Sequence, residues 1–145
     1  MHLNDIITTM SHRKSACIFC DIAKNKIDHF QFWSDKKNVA FLDSNPTILG
    51  HTLVIPKNHV NYIFKLSRKD YIDLFLAAKK IAEVLQKKTG CKRVGLVITG
   101  FQIPHTHIHL LPMNRTIDLN RKIKRPNKKN MQVLADELKQ ILIKN

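Results

Sequence analysis

The feature that most constrains the fold is a long amphipathic segment between Ser67 and Gly90. Ser67, with Asp70 three residues later, is typical of a helix N-cap, and Gly90 is typical of a C-terminal stop. The apolar residues between them recur every three or four positions, as on a helix with one face turned to a core. They are Tyr71, Leu74, Phe75, Ala78, Ile81, Ala82 and Leu85. The segment therefore predicts a helix over residues 67–89.

Short apolar runs with the character of strands flank this helix on both sides. Two precede it, at residues 39–43 and 52–55, and each ends at a turn signal or a proline. Two follow it, at residues 94–98 and 106–111. With a short helix at residues 19–24, this order predicts an α+β fold, in which the long helix lies across one face of an antiparallel sheet.

The two ends of the chain differ from this central part. Residues 1–14 are polar and show no periodicity, so we expect a flexible leader there and a single domain over residues 15–113. Residues 114–145 are expected to hold a basic linker and a C-terminal helix that begins near residue 130. Because this last helix carries an apolar stripe, it can pack on the domain or on a second copy.

Composition indicates a folded protein that attracts anions. The chain has 145 residues, 43% of them hydrophobic, which is enough for one core. Its 25 Lys and Arg against 11 Asp and Glu give a net charge of +14. No apolar run approaches the roughly 18 residues of a membrane helix, no signal peptide is apparent, and three cysteines do not form a disulfide framework. We therefore expect a cytoplasmic protein with no membrane partner.

Three of the eight histidines stand at alternate positions, His105, His107 and His109. Because side chains alternate across a strand, the three imidazoles are expected to leave the same face. A neutral imidazole can attack phosphorus or a carbonyl carbon if one nitrogen keeps its lone pair and an acceptor holds the N–H of the other. Neighbouring rings and strand carbonyls are the candidate acceptors. The cluster therefore predicts nucleophilic chemistry, although the same pattern also occurs in metal sites.

Further blocks of sequence, together with the His-x-His-x-His segment, resemble the histidine triad (HIT) family. The resemblance covers residues 17–112, and its other blocks are residues 17–22, 41–43, 50–59 and 100–105. It implies a HIT-like α+β fold, a homodimer and a bound purine nucleotide. It also implies hydrolysis or transfer at the α-phosphate through a nucleotidyl-histidine intermediate. The substrates implied are a nucleoside phosphoramidate, an AMP ester or a dinucleoside polyphosphate.

The resemblance also implies catalytic roles for particular histidines. His107 corresponds to the nucleophile, and a triad ring on either side is expected to orient it. His109 and His51 correspond to supporting residues, which hold the nucleophile and relay a proton.

A second set of residues corresponds to the nucleotide-binding positions of the family. Asp43 matches the carboxylate that accepts hydrogen bonds from the ribose hydroxyls. Thr99 and Gln102 stand in the phosphate loop, where Thr99 takes the place of an asparagine. The apolar walls around the base correspond to Phe19, Ile22 and Phe41.

A structural zinc site is the last implication of the resemblance. Some relatives hold zinc at the positions of Cys17, Cys20, His59 and His105, and thiolate and imidazole are ligands that zinc prefers. Zinc there would make His105 a ligand instead of a catalytic group. A redox role for the Cys-x-x-Cys pair is the weaker interpretation, because no clear βαβ pattern surrounds it.

Two other functions stay open. One is a nucleotide-binding regulatory protein in which turnover is incidental. The other is a nucleic-acid-binding domain, which would use the net charge and the basic linker to neutralise phosphates. The second is less favoured, because the sequence has no helix-turn-helix, paired zinc finger or stacking-aromatic signature.

Overall fold

The structure is a computed structural model, and it describes residues 17–145. The predicted leader over residues 1–14 lies outside the described residues. Within residues 17–145, no helix is both long enough and apolar enough to cross a membrane. In chain order, the elements are α1 (Ile18–Ala23), β1 (Phe30–Ser34), β2 (Asn38–Leu42), β3 (Thr52–Pro56), a 3₁₀ turn (Ile63–Lys65), α2 (Arg68–Thr89), β4 (Arg93–Val97), β5 (Ile108–Met113) and α3 (Lys128–Lys144).

The five strands form one sheet in the order β1-β2-β3-β5-β4, and every neighbouring pair is antiparallel. Strand β5 lies between β3 and β4, so the histidine segment runs beside β3, and His109 pairs with Leu53. The α+β fold with a long helix across an antiparallel sheet is thereby confirmed.

Side chains alternate across the central strands and build an apolar layer on each face of the sheet. On one face, α2 and α3 pack over the main core, whose strand residues are Phe32, Ala40, Leu42, Val54, Ile108 and Leu110. On the other face, α1 covers a smaller cluster of Phe19, Ile22, Val39, Phe41, Leu53 and Ile55. Because both faces are covered, every residue of β2 and of β3 is buried.

The long helix has the predicted ends. The hydroxyl of Ser67 accepts a hydrogen bond from the backbone N–H of Asp70 at 3.1 Å, which satisfies one of the free donors of the first turn. Gly90 ends the helix with φ of +67°, in the left-handed region that favours glycine.

The strands differ from the prediction in two places. Strand β1 was not predicted, because a register shift between Gln31 and Trp33 interrupts its alternation and only Phe32 is fully buried. Strand β5 begins at Ile108 instead of residue 106. Its predicted first residue, Thr106, turns both its N–H and its hydroxyl to the carbonyl of Val60, at 2.7 and 2.8 Å.

The C-terminal helix packs on the domain, which is one of the two arrangements predicted for it. Met131, Ala135 and Leu138 are buried in the main core. The helix begins at Lys128, two residues before the predicted start, because the side chain of Asn127 caps it by accepting from the N–H of Asn130.

Truncation of Leu138, which is fully buried, tests whether α3 belongs to the core. Leu138→Ala is expected to lower the free energy of unfolding by about 3 kcal/mol, because it leaves a cavity among packed side chains. Val133→Ala is the matched control, since Val133 lies on the same helix and is 47% exposed. Urea unfolding measures both variants. Equal, small losses would contradict the packing of α3.

Candidate active site

A cavity of about 400 Å³ opens on the face of the sheet that carries α1. This volume is in the range of small-molecule sites. Its apolar walls come from α1 and the central strands, and His107 and His109 lie at its polar end. A third wall is residues 118–127, which we call the basic strap and which contributes Lys122 and Arg125.

The structure brings most of the predicted nucleotide-binding residues together in this cavity. Its lining includes Asp43 and Gln102 and the predicted base walls, which are Phe19, Ile22 and Phe41. The rings of Phe19 and Phe41 meet edge to face at a centroid distance of 5.8 Å. Thr99 is exposed and does not line the cavity, so the structure does not bring it to the site.

His107 is held in one tautomer by the backbone. Its Nδ1 lies 2.6 Å from the carbonyl oxygen of His105, and a carbonyl only accepts, so Nδ1 carries the hydrogen and Nε2 keeps its lone pair. Phe19 packs edge-on against the ring at a centroid distance of 5.1 Å. The residue is only 5% exposed but lies on the cavity wall. The cavity therefore contains a fixed imidazole with a free lone pair.

The expectation that a triad ring on each side orients His107 was half wrong. The ring of His109 does pack against it, at a centroid distance of 4.9 Å. The ring of His105 instead donates from Nε2 to the carbonyl of Pro56 at 2.8 Å and turns its Nδ1 toward the cysteines. His105 orients His107 through its backbone carbonyl.

A chain of hydrogen bonds fixes the other two histidines, and it starts from the backbone. The N–H of Thr47 donates to Nδ1 of His51 at 3.0 Å, so His51 carries its hydrogen on Nε2. That nitrogen lies 2.8 Å from Nδ1 of His109 and donates to it, which leaves the hydrogen of His109 on Nε2. A carboxylate oxygen of Asp43 lies 3.5 Å from the same Nε2 of His51. We call His51 and His109 the relay pair.

Burial keeps the relay pair neutral. Burial lowers the pKa of His51 from 6.5 to about 4, and the charge of Lys122 acts in the same direction. Burial also lowers the pKa of His109 to about 4, and the neighbouring His107 and His51 add to the effect. The two rings therefore remain uncharged at neutral pH, as the hydrogen-bond pattern requires.

Local chain geometry places His51 beside β5. Gly50 has φ of +83°, and a Cβ on it would lie 3.2 Å from the ring of Pro112. Only glycine combines this conformation with so close an approach to β5. The pairing of Leu53 with His109 then brings His51 within reach of the His109 ring.

A second cluster, of Cys17, Cys20, His59 and His105, lies behind His107. Their ligand atoms all lie within 4.8 Å of one another. The Nδ1 atoms of His59 and His105 are 3.2 Å apart, and the sulfur-to-nitrogen distances are 3.3, 3.4 and 3.6 Å. Tetrahedral zinc, with bonds of about 2.0–2.3 Å, separates its ligand atoms by about 3.3–3.8 Å. The four residues are therefore placed to hold a zinc-sized ion.

Protonation at this cluster also fits a metal. Because Nε2 of His105 donates to Pro56, its Nδ1 presents a lone pair to the cysteines. Burial lowers the pKa of His105, which favours the neutral ring that a metal needs. Burial and the adjacent Cys17 raise the pKa of the Cys20 thiol, a shift that a bound cation would reverse.

Sequence reasoning missed Thr47 and the two strap residues Lys122 and Arg125. Asn45 and Pro46, which follow the strand predicted at residues 39–43, are typical of a turn but gave no sign that the N–H of the next residue would hold His51. The basic composition of the strap was evident. Its place at the cavity depends on a long-range hydrogen bond from the N–H of Ile123 to the carbonyl of Pro46, which no local pattern reveals.

Comparisons with known proteins identify the family of this chain. The HIT domain family model matches residues 24–116. An uncharacterised HIT-like protein of Mycoplasma genitalium is 34% identical over 134 residues, with 84% of this chain and 94% of the relative covered. The adenosine 5'-monophosphoramidase of Saccharomyces cerevisiae is 34% identical over 99 residues, with 68% of this chain and 63% of the relative covered.

A solved structure shares the fold. A zinc-bound histidine triad family protein from Mycobacterium smegmatis has a TM-score of 0.75 at 21% identity, with 90% of this chain and 98% of that chain covered. The family match includes Asp43, His51 and the triad and excludes the basic strap. On the extent of the family match and the identity to these relatives, the chain belongs to the HIT domain family.

Proposed function

We propose that this chain is a purine nucleotide hydrolase or transferase that acts at the α-phosphate through a nucleotidyl-histidine intermediate. The observation that carries the proposal is the lone pair of His107 Nε2 on the wall of the cavity, with Nδ1–H held by the His105 carbonyl. Membership of the HIT family supports it, as does the identity to a yeast adenosine 5'-monophosphoramidase.

In this proposal, His107 is the nucleophile. Its Nε2 forms a bond to the α-phosphorus as the bond to the leaving group breaks, and water then releases the nucleotide. The relay pair supplies the neighbouring donor, because His109 retains a hydrogen on Nε2 that is free for a phosphate oxygen. His51 holds His109 in that tautomer.

The proposed nucleotide contacts follow from the lining of the cavity. Phe19, Ile22 and Phe41 pack against the base, which is flat and apolar on its faces. One oxygen of Asp43 accepts from the N–H of Asn45 at 2.8 Å, and the carboxylate keeps further lone pairs for the ribose hydroxyls. Gln102 is the proposed side-chain donor to the phosphate. Thr99, which is exposed, is left out of the phosphate site.

We also propose that the cluster of Cys17, Cys20, His59 and His105 holds a structural zinc. The distances between ligand atoms and the lone pair on His105 Nδ1 support it. Zinc bound by four protein ligands supplies cross-linking instead of catalysis. Here it would tie α1, which carries the base wall Phe19, to the segment that positions His107.

The homodimer and the cytoplasmic location stay predictions. Strand β4 is at the edge of the sheet, and Leu96 on it is 46% exposed, which is consistent with pairing to a second copy.

Replacement of His107 tests the covalent step. After incubation with adenosine 5'-phosphoramidate and a quench, wild type is expected to gain about 329 Da, the mass of AMP less water. His107→Asn is expected to show no adduct and at least about a thousandfold lower kcat, because the nucleophile is gone. Intact-mass spectrometry and AMP binding by calorimetry measure both properties. Full turnover in a variant that still binds AMP would refute the assignment of the nucleophile.

The relay pair makes stability depend on pH. In the unfolded chain each ring takes up a proton near pH 6.5, whereas in the folded protein His51 and His109 do so only near pH 4. The unfolded state therefore binds more protons between these values, so the free energy of unfolding falls as pH drops from 7 to 4, by at most about 3 kcal/mol per ring. Urea unfolding at several pH values measures the slope. The double variant His51→Gln with His109→Gln should have a shallower slope, and an unchanged slope would count against buried neutral rings.

Metal removal tests the zinc site. Purified protein is expected to contain one zinc per chain, and a chelator is expected to lower its Tm by about 10 °C, because the metal cross-link contributes folding free energy. Cys20→Ser should lose the metal and respond little to the chelator. Cys91→Ser is the control, since Cys91 is a buried cysteine outside the cluster. Elemental analysis that finds no zinc in wild type, with no chelator effect on Tm, would disprove the site.

A further inference from the structure

Three cations line the cavity and play no part in the mechanism described so far. Lys122 and Arg125 come from the basic strap, and Lys128 is the first residue of α3. All three lie beyond residue 116, where the match to the HIT domain ends. They line the same cavity as His107 and His109. The C-terminal segment outside the family match therefore contributes to the lining of the cavity.

Hydrogen bonds connect the basic strap to the segment that holds the relay pair. The N–H of Ile123 donates to the carbonyl of Pro46 at 3.1 Å, and Nζ of Lys122 donates to the hydroxyl of Thr47 at 3.1 Å. Thr47 is the same residue whose backbone N–H holds His51. Lys122 thus lies at a fixed position beside the reacting end of the cavity.

Two of these cations lack a neutralising partner within residues 17–145. Lys128 pairs with Asp28 at 3.7 Å, whereas no carboxylate of the described chain lies within ion-pair distance of Lys122 or Arg125. The cavity contains one further carboxylate, Asp43, which is engaged by the N–H of Asn45 and lies 3.5 Å from the His51 ring. The cavity lining therefore presents uncompensated positive charge at Lys122 and Arg125.

We propose that Lys122 and Arg125 bind the leaving group, and that the chain favours nucleotides whose α-phosphate carries a phosphate chain over those that release an amine. The proposal rests on the proposed function. Such a chain bears several negative charges, and arginine binds phosphate oxygens with two parallel N–H donors. An amine departs neutral or cationic, so the strap offers it no attraction.

The proposed reaction transfers the nucleotidyl group first to His107 and then to water. Nε2 of His107 forms a bond to the α-phosphorus, and the bond from that phosphorus to the bridging oxygen breaks. The electron pair stays on the oxygen of the departing polyphosphate, where the charges of Lys122 and Arg125 stabilise it. The oxygen of a water molecule then bonds to the phosphorus and releases a proton to solvent. The bond from phosphorus to Nε2 breaks, so the nucleoside monophosphate leaves and Nε2 recovers its lone pair.

The test compares leaving groups on one nucleoside. Values of kcat and KM are measured for diadenosine tetraphosphate, ATP and adenosine 5'-phosphoramidate with wild type and Arg125→Gln. We expect Arg125→Gln to lower kcat/KM about fivefold more for the polyphosphates than for the phosphoramidate, as loss of a solvent-exposed charge-assisted contact should. Arg125→Lys should restore most of the difference. The two polyphosphates distinguish a dinucleotide source from a mononucleotide source of the same phosphate chain.

The controls separate this proposal from others. Lys124→Gln removes an exposed strap charge that does not line the cavity, and it should leave the ratio between substrates unchanged. In wild type, added salt should lower kcat/KM more for diadenosine tetraphosphate than for the phosphoramidate. Equal losses for all substrates in Arg125→Gln, or no loss, would overturn the proposal. Failure of the proposed function looks different, because then no substrate labels His107.

Discussion

The hydrogen bond from Nδ1 of His107 to the carbonyl of His105 decides which nitrogen of the central ring is free to react. A backbone carbonyl cannot donate, so it holds the ring in one tautomer regardless of solvent. A second main-chain group, the N–H of Thr47, sets the tautomers of the relay pair, because it donates to His51 and His51 donates to His109. The tautomer of each ring is therefore set by main-chain groups of His105 and Thr47, which lie in the segments between strands.

One residue connects the two clusters of this face. The carbonyl of His105 orients the His107 ring, and its own ring faces the cysteines, with Nε2 bonded to Pro56. Phe19 packs edge-on against both rings, with centroid distances of 5.9 and 5.1 Å. Anything that orders the cysteine–histidine cluster therefore also orders Phe19 and the His107 ring. This gives a physical reason for the proposed metal site to lie next to the proposed nucleophile.

Much of this arrangement follows from periodicity in the sequence. The 3.6-residue period of α2 was sufficient to predict the helix, and the short apolar runs beside it were sufficient to predict the antiparallel sheet. Of the three histidines expected on one face, His107 and His109 line one cavity, whereas the His105 ring faces the cysteines. Other features depend on contacts between distant residues. The N–H of Thr106 donates to the carbonyl of Val60 instead of pairing with a neighbouring strand. The basic strap is held at the cavity by the hydrogen bond from Ile123 to the carbonyl of Pro46. Strand β1 was missed because its register shift destroys the alternation by which strands are recognised.

The tautomer of His107 is the most direct test of this account, and long-range ¹H–¹⁵N NMR of histidine-labelled protein at pH 8 measures it. Nitrogen shifts distinguish a protonated ring nitrogen from one with a lone pair. The expected spectrum has the hydrogen on Nδ1 of His107 and on Nε2 of both His51 and His109. A hydrogen on Nε2 of His107 would block the proposed attack and contradict the central claim.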